Sequence, residues 1–223
     1  GSKKPIYLDT DGVEHDQYLT NLSWSPDGKT ILLAIVNRAQ NHYDVVAFNA
    51  KNGKRKETIL SVSNDRWAEP EFPAYWVGAD DFVWLSERNG FMNLYLYNTK
   101  GVMVRQLTDN DFVATGILGQ DKSGDLLFTA TGDDPRESHL FSVSLKGKQI
   151  QLTEAAGFHS PTVQEGGHYF IDSYRRVAVP AKDVLMTTGG KEERTLAEAA
   201  DPFEGTNIRK PEMGNITGPD GST

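Results

Sequence analysis

Apolar and polar positions alternate along this chain in short runs, and glycine-rich turns separate the runs. Four turns open onto strongly apolar segments: Trp24-Ser-Pro-Asp-Gly-Lys29 before ILLAIV, Tyr75-Trp-Val-Gly-Ala-Asp80 before DFVWLS, Gly119-Gln-Asp-Lys-Ser-Gly124 before DLLFTA, and Val163-Gln-Glu-Gly-Gly167 before HYFIDS. β-Branched and aromatic flanks around such turns predict antiparallel hairpins centred on Gly28, Gly78, Gly124 and Gly166, where glycine supplies the positive φ of a tight turn. After a polar connection each copy offers a second hairpin, turning at Gly53, Gly101, Gly147 and Gly189-Gly190, with glycines 48, 46 and 42 to 43 positions apart.

A repeat of this length belongs to propeller blades and solenoid units, and two hairpins per copy make the four antiparallel strands of one blade. A β-sandwich would also show regular hairpins. It would not require the second hairpin of every copy to end alike, as ETIL, RQLT, IQLT and RTLA do. The pattern therefore predicts an all-β, partial β-propeller of about four consecutive four-stranded antiparallel blades spanning residues 15–200. Residues 3–14, with the strand-like Lys4–Thr10, read as an outer strand left from a preceding blade. Residues 201–223 lose alternation and gather proline and glycine, as a linker does. Gly1-Ser2 reads as the scar of a removed tag.

The formal charge of −8 and the lack of any basic cluster argue against a nucleic-acid partner. No apolar run is long enough to predict a membrane-spanning helix, and no signal-peptide core stands at the start. The absence of cysteine excludes disulfides and thiolate chemistry.

Within this frame, several segments resemble the propeller of the dipeptidyl peptidase IV group of prolyl-oligopeptidase-like serine peptidases. They are Val36-Asn-Arg-Ala-Gln-Asn41 with the following YDVVAFNAKNG, Ser86-Glu-Arg-Asn-Gly-Phe91 with MNLYLYNTKG, the stretch from Phe128-Thr-Ala-Thr to Pro135-Arg-Glu-Ser-His-Leu140, and Tyr169-Phe-Ile-Asp-Ser-Tyr174 with Pro180. Arg209-Lys-Pro-Glu-Met-Gly214 and Gly218-Pro-Asp-Gly221 look like that family's approach to its α/β-hydrolase domain. The resemblance implies a parent serine exopeptidase that removes N-terminal Xaa-Pro or Xaa-Ala dipeptides, with the propeller gating and shaping the substrate chamber. It further implies a dimeric parent in the periplasm or outside the cell, with peptide substrates and its own hydrolase domain as partners. The chain itself is expected to be non-catalytic, because it has no Gly-x-Ser-x-Gly elbow to project a nucleophile beside its base. The family's acidic pair for the substrate amine belongs to an earlier blade. The alternative is a stand-alone TolB-like propeller that binds a protein or peptide.

Asp65-Arg-Trp-Ala-Glu-Pro-Glu-Phe-Pro73 is the least strand-like connection. The resemblance makes Trp67, with Glu69, the border of the pocket for the substrate's second residue; the opposing reading packs Trp67 between blades. Arg38, Gln40 and Asn41 are expected to form a structural polar network after the first hairpin. His15, His42, His139, His159 and His168 lack metal-ligand spacing and read as hydrogen-bonded strand residues. Asp9-Thr-Asp-Gly12 and Asp109-Asn-Asp111 read as solvated turns, not calcium loops. No metal and no cofactor is expected.

Overall fold

The computed structural model describes residues 4–11, 16–177, 179–201, 203–209, 211–212 and 214–221, so the tag scar, Gly12 and His15 lie outside the described residues. Among these residues there are sixteen strands and no helix. The first sheet contains β1 (Gln17–Trp24), β2 (Thr30–Asn37), β3 (His42–Asn49) and β4 (Arg55–Ser63). The second contains β5 (Tyr75–Trp76), β6 (Asp81–Ser86), β7 (Asn93–Asn98) and β8 (Met103–Gln106). The third contains β9 (Ala114–Gln120), β10 (Leu126–Ala130), β11 (His139–Val143) and β12 (Gln149–Gln151). The fourth contains β13 (Phe158–Val163), β14 (Tyr169–Arg176), β15 (Val179–Thr187) and β16 (Glu192–Glu198). Every sheet is an antiparallel meander with its strands in chain order, the topology of a propeller blade.

The chain divides into two compact units, residues 1–117 with 143–149, and residues 118–142 with 150–223. In the first unit, the run ILLAIV is apolar at every position because β2 is covered on both faces. Leu32, Ala34 and Val36 share a core with Phe82, Trp84, Tyr95 and Tyr97 of the second sheet. Ile31 and Leu33 join Val46 and Phe48 on the opposite face, where Leu8 also packs. Trp84 is 1% exposed, its indole N–H donating to the Tyr43 hydroxyl at 3.3 Å. Burying a side chain of this kind contributes on the order of 2–3 kcal/mol. In the second unit, Leu127, Leu140, Leu152 and Phe170 form a core with Val163 and Met186 packed against it. β16 is exposed along its whole length and carries four charged side chains in EERTLAE, which suits a sheet edge that must not recruit other strands.

The turn chemistry is mostly as expected. In the first turn, the Ser25 hydroxyl bonds Asp27 at 2.7 Å and the Lys29 N–H donates to the same carboxylate at 3.0 Å. These contacts, the Ser25 bond first, hold Asp27 down at about 2. Gly28, Gly124 and Gly166 have φ of 68°, 83° and 65°, but Gly78 has no positive φ, and Gly190 rather than Gly189 holds the left-handed position of the last turn. The tight turn after β5 is thus made without glycine's special freedom. Lys4–Thr10 forms no strand of its own; it runs beside the Gly53 turn, with the Asp9 N–H donating to the Gly53 carbonyl at 2.9 Å.

Candidate functional site

The connection from β4 to β5 is held in a non-repetitive course by its polar residues. The Asn64 side chain accepts the Arg66 N–H at 2.9 Å, turning the chain just after the strand. The backbone is then pinned to the connection after β2: the Asn64 N–H donates to the Asn41 carbonyl at 3.0 Å and the Ala68 N–H to the Gln40 carbonyl at 2.9 Å. A bulge in β1 between Thr20 and Ser23, with Asn21 at φ 54°, brings the Asn21 amide within 2.5 Å of the Pro70 carbonyl. Ala68 is buried as the anchor of this segment, so its neighbours Trp67 and Glu69 are both left exposed.

Trp67 is 46% exposed and its indole N–H donates to Glu69 Oε2 at 2.8 Å. Trp67, Ala68 and Glu69 form a wall shared by two pockets. One, of about 290 Å³, is completed by Tyr18, Leu19, Gln40 and Pro70. The other, of about 200 Å³, is completed by Tyr43, Asn64, Ser86, Glu87 and Arg88. Arg88 is oriented by its surroundings: its guanidinium lies 4.3 Å from the Tyr95 ring centre, donates to the Tyr97 hydroxyl at 2.6 Å and to the Ser86 hydroxyl at 3.2 Å. Burial, and then the charges of Glu69 and Glu87, push the Glu71 carboxyl up from its ordinary value. The two pockets thus offer an aromatic wall at Trp67, the carboxylates of Glu69 and Glu87 and a positioned arginine, groups that can stack on and hydrogen-bond a bound molecule.

Of the residues predicted from sequence, Trp67, Glu69 and Gln40 come together around the larger pocket. Arg38 stands apart, exposed, with its guanidinium 5.2 Å from the Tyr18 ring centre. Asn41 is half-buried and pairs with Asn37, its Oδ1 accepting from the Asn37 amide at 2.8 Å, while Asn37 Oδ1 accepts the Asn41 N–H at 3.1 Å. Sequence reasoning missed Asn37, Asn64 and Arg88. An asparagine at each strand end was a readable turn signal, whereas the stacking of Arg88 depends on which tyrosines the neighbouring strand presents. His42 bonds the Ser63 hydroxyl at 2.8 Å, and Asp109 accepts from Asn89 at 3.1 Å and Gln106 at 3.0 Å, so that turn is a hydrogen-bonded one. Among the described residues no group of three or more histidines and carboxylates is arranged to hold a metal, and no helix is long and apolar enough to cross a membrane.

Four antiparallel four-stranded meander sheets in chain order define the blades of a β-propeller. The family described as dipeptidyl peptidase IV (DPP IV) N-terminal region matches residues 1–181, and the chain belongs to it. Dipeptidyl peptidase 4 of Arthroderma otae is 25% identical over 189 residues, covering 80% of this chain and 24% of that protein. An Aspergillus fumigatus protein assigned as dipeptidyl peptidase 4 is 26% identical over 213 residues, 90% of this chain and 28% of the relative. Among solved structures, a Bacteroides ovatus protein assigned as a dipeptidyl aminopeptidase IV superposes with a TM-score of 0.89 at 30% identity, over 99% of this chain and 34% of that one. Porphyromonas gingivalis dipeptidyl peptidase 4 superposes with a TM-score of 0.72 at 25% identity, over 87% of this chain and 28% of that one. The chain thus spans about a quarter to a third of the length of the relatives it matches.

Proposed function

We propose that this chain is the non-catalytic propeller segment of a serine dipeptidyl peptidase whose parent protein removes Xaa-Pro or Xaa-Ala dipeptides from free N-termini. The propeller gates and shapes the chamber in which the hydrolase domain works, and the Trp67–Glu69 wall borders the pocket for the substrate's second residue. The observation that carries this reading is the family match over residues 1–181, joined to relatives that are named dipeptidyl peptidases. The exposed Trp67, braced by Glu69 between two pockets, supports the assignment of the border. Serine chemistry needs a nucleophile, a base and oxyanion donors held within hydrogen-bond reach. With no nucleophile elbow in the 223 residues, those groups must come from elsewhere in the parent.

The test is product identity. Full-length protein is incubated with a decapeptide carrying proline at its second position and with the same peptide acetylated at its N-terminus. Release of the intact N-terminal dipeptide from the free peptide alone supports the proposal. Single-residue release, internal cleavage, or equal cleavage of the acetylated peptide contradicts it.

A further inference from the structure

The proposed function makes no use of His159, yet this titratable side chain of the second unit is buried and bonded at both ring nitrogens. Its exposure is 3%, and both ring nitrogens face acceptors: Nδ1 is 2.6 Å from Asp172 Oδ2 and Nε2 is 2.7 Å from the Ala155 carbonyl. A neutral imidazole has one N–H and must turn a lone pair toward one of these oxygens, whereas an imidazolium donates to both. Asp172 is itself buried, and its Oδ1 has no donor among the described residues. Its Oδ2 is answered by the His159 ring.

Further groups are packed around the ring from β14, β15 and β11. On β14 the Tyr174 ring lies 4.9 Å away, and its hydroxyl donates to the Ala156 carbonyl at 2.9 Å. Lys182 of β15 is 5.8 Å from the centre of that tyrosine ring. On β11 the His139 ring lies 5.1 Å away, with Nδ1 2.9 Å from the Thr153 carbonyl and Nε2 3.0 Å from Glu137. The two carboxylates of the cluster, Asp172 and Glu137, both favour a cation on His159. The side chains of His159, Tyr174 and His139 therefore bond the carbonyls of Ala155, Ala156 and Thr153 in the connection between β12 and β13. Backbone bonds continue the closure, from the His159 N–H to the Ser138 carbonyl at 2.9 Å and from the Ser138 N–H to the Gly157 carbonyl at 3.2 Å.

We propose that His159 is a proton-linked clasp: as an imidazolium it ties the β12–β13 connection and the entry to β11 onto the fourth sheet, and loss of its proton on the alkaline side releases Ala155. The electrostatics run in the same direction. Burial opposes the charged ring, but the hydrogen bonds to Asp172 and Ala155 and the charges of Asp172 and Glu137 outweigh it, raising the histidine above its ordinary value. A histidine raised in this way lends stability that is fully present below its unfolded value and is lost as pH rises through its folded value.

The experiment is a pH titration of the 223-residue chain by nitrogen NMR of the histidine rings, with amide hydrogen exchange over residues 155–159. The clasp predicts two protonated ring nitrogens on His159 at neutral pH and a titration midpoint above that of a histidine in the unfolded chain. Asp172→Asn should lower the His159 midpoint by about one unit or more, since an opposite charge at this distance commonly contributes 1–3 units. Exchange at 155–159 should rise about tenfold beyond its intrinsic base-catalysed increase as His159 deprotonates, and this extra rise should disappear in His159→Gln. A single neutral tautomer at neutral pH overturns the proposal, as does a midpoint that Asp172→Asn leaves in place. The ring-nitrogen measurement on the unmodified chain decides the matter even if both variants fail to fold.

Discussion

Trp67 is half-exposed beside the buried Ala68, as the proposed pocket border requires and a packing residue does not. Core aromatics of this size cost about 3–5 kcal/mol when truncated, whereas surface changes usually stay within about 0.5 kcal/mol. Because Trp67 is 46% exposed and its neighbour Ala68 makes the buried contact, Trp67→Ala should leave the melting temperature of the full-length protein nearly unchanged. The same substitution should raise KM or lower kcat/KM for dipeptide release. A large drop in melting temperature with unaltered kinetics would assign Trp67 to packing instead. The unusual chemistry of this stretch was visible in its composition, with tryptophan, glutamates and prolines where alternation fails. How Gln40 and Asn41 act was not visible, because each anchors the connection through its backbone carbonyl, a group every residue type carries.

The hairpin repeat was legible at the level of whole strands because period-two alternation and glycine turns are local signals. Its finer rule was not, since it depends on which backbone lies against each turn. At Gly101, with φ of 75°, an added Cβ would overlap the Ile59 carbonyl oxygen, and at Gly53 it would overlap that of Tyr7. Gly28 has φ of 68° with open space around it, and Gly78 has open space without a positive φ. Three alanine substitutions should therefore rank in order. Gly78→Ala should be close to neutral, and Gly28→Ala should cost about 1 kcal/mol for the left-handed backbone. Gly101→Ala should cost about 2 kcal/mol or more, because backbone must also move. Urea midpoints at constant m-value will show this ranking, and equal costs at Gly28 and Gly101 would contradict the close approach of the Gly101 turn to β4. At Gly147 and Gly190 an added Cβ would lie 3.5 Å from the carbonyl oxygens of Leu107 and Leu152, an ordinary contact, so there the left-handed backbone alone calls for glycine.

At the scale of the molecule, the proposed function makes the sheets a scaffold, because the 223 residues hold no Gly-x-Ser-x-Gly elbow. A fold alone does not fix a function. The family match and the pocket wall at Trp67 carry the functional reading, and the central claim is a division of labour: propeller without nucleophile here, hydrolysis only in the longer parent. The most direct measurement compares chromophore release from glycyl-prolyl nitroanilide by the purified 223-residue chain and by the full-length protein, each with and without a serine-directed fluorophosphonate. Loss of a complete triad removes many orders of magnitude of rate. The account predicts turnover by the full-length protein alone, abolished by the fluorophosphonate. Inhibitor-sensitive turnover by the 223-residue chain, or silence from both proteins, would contradict it.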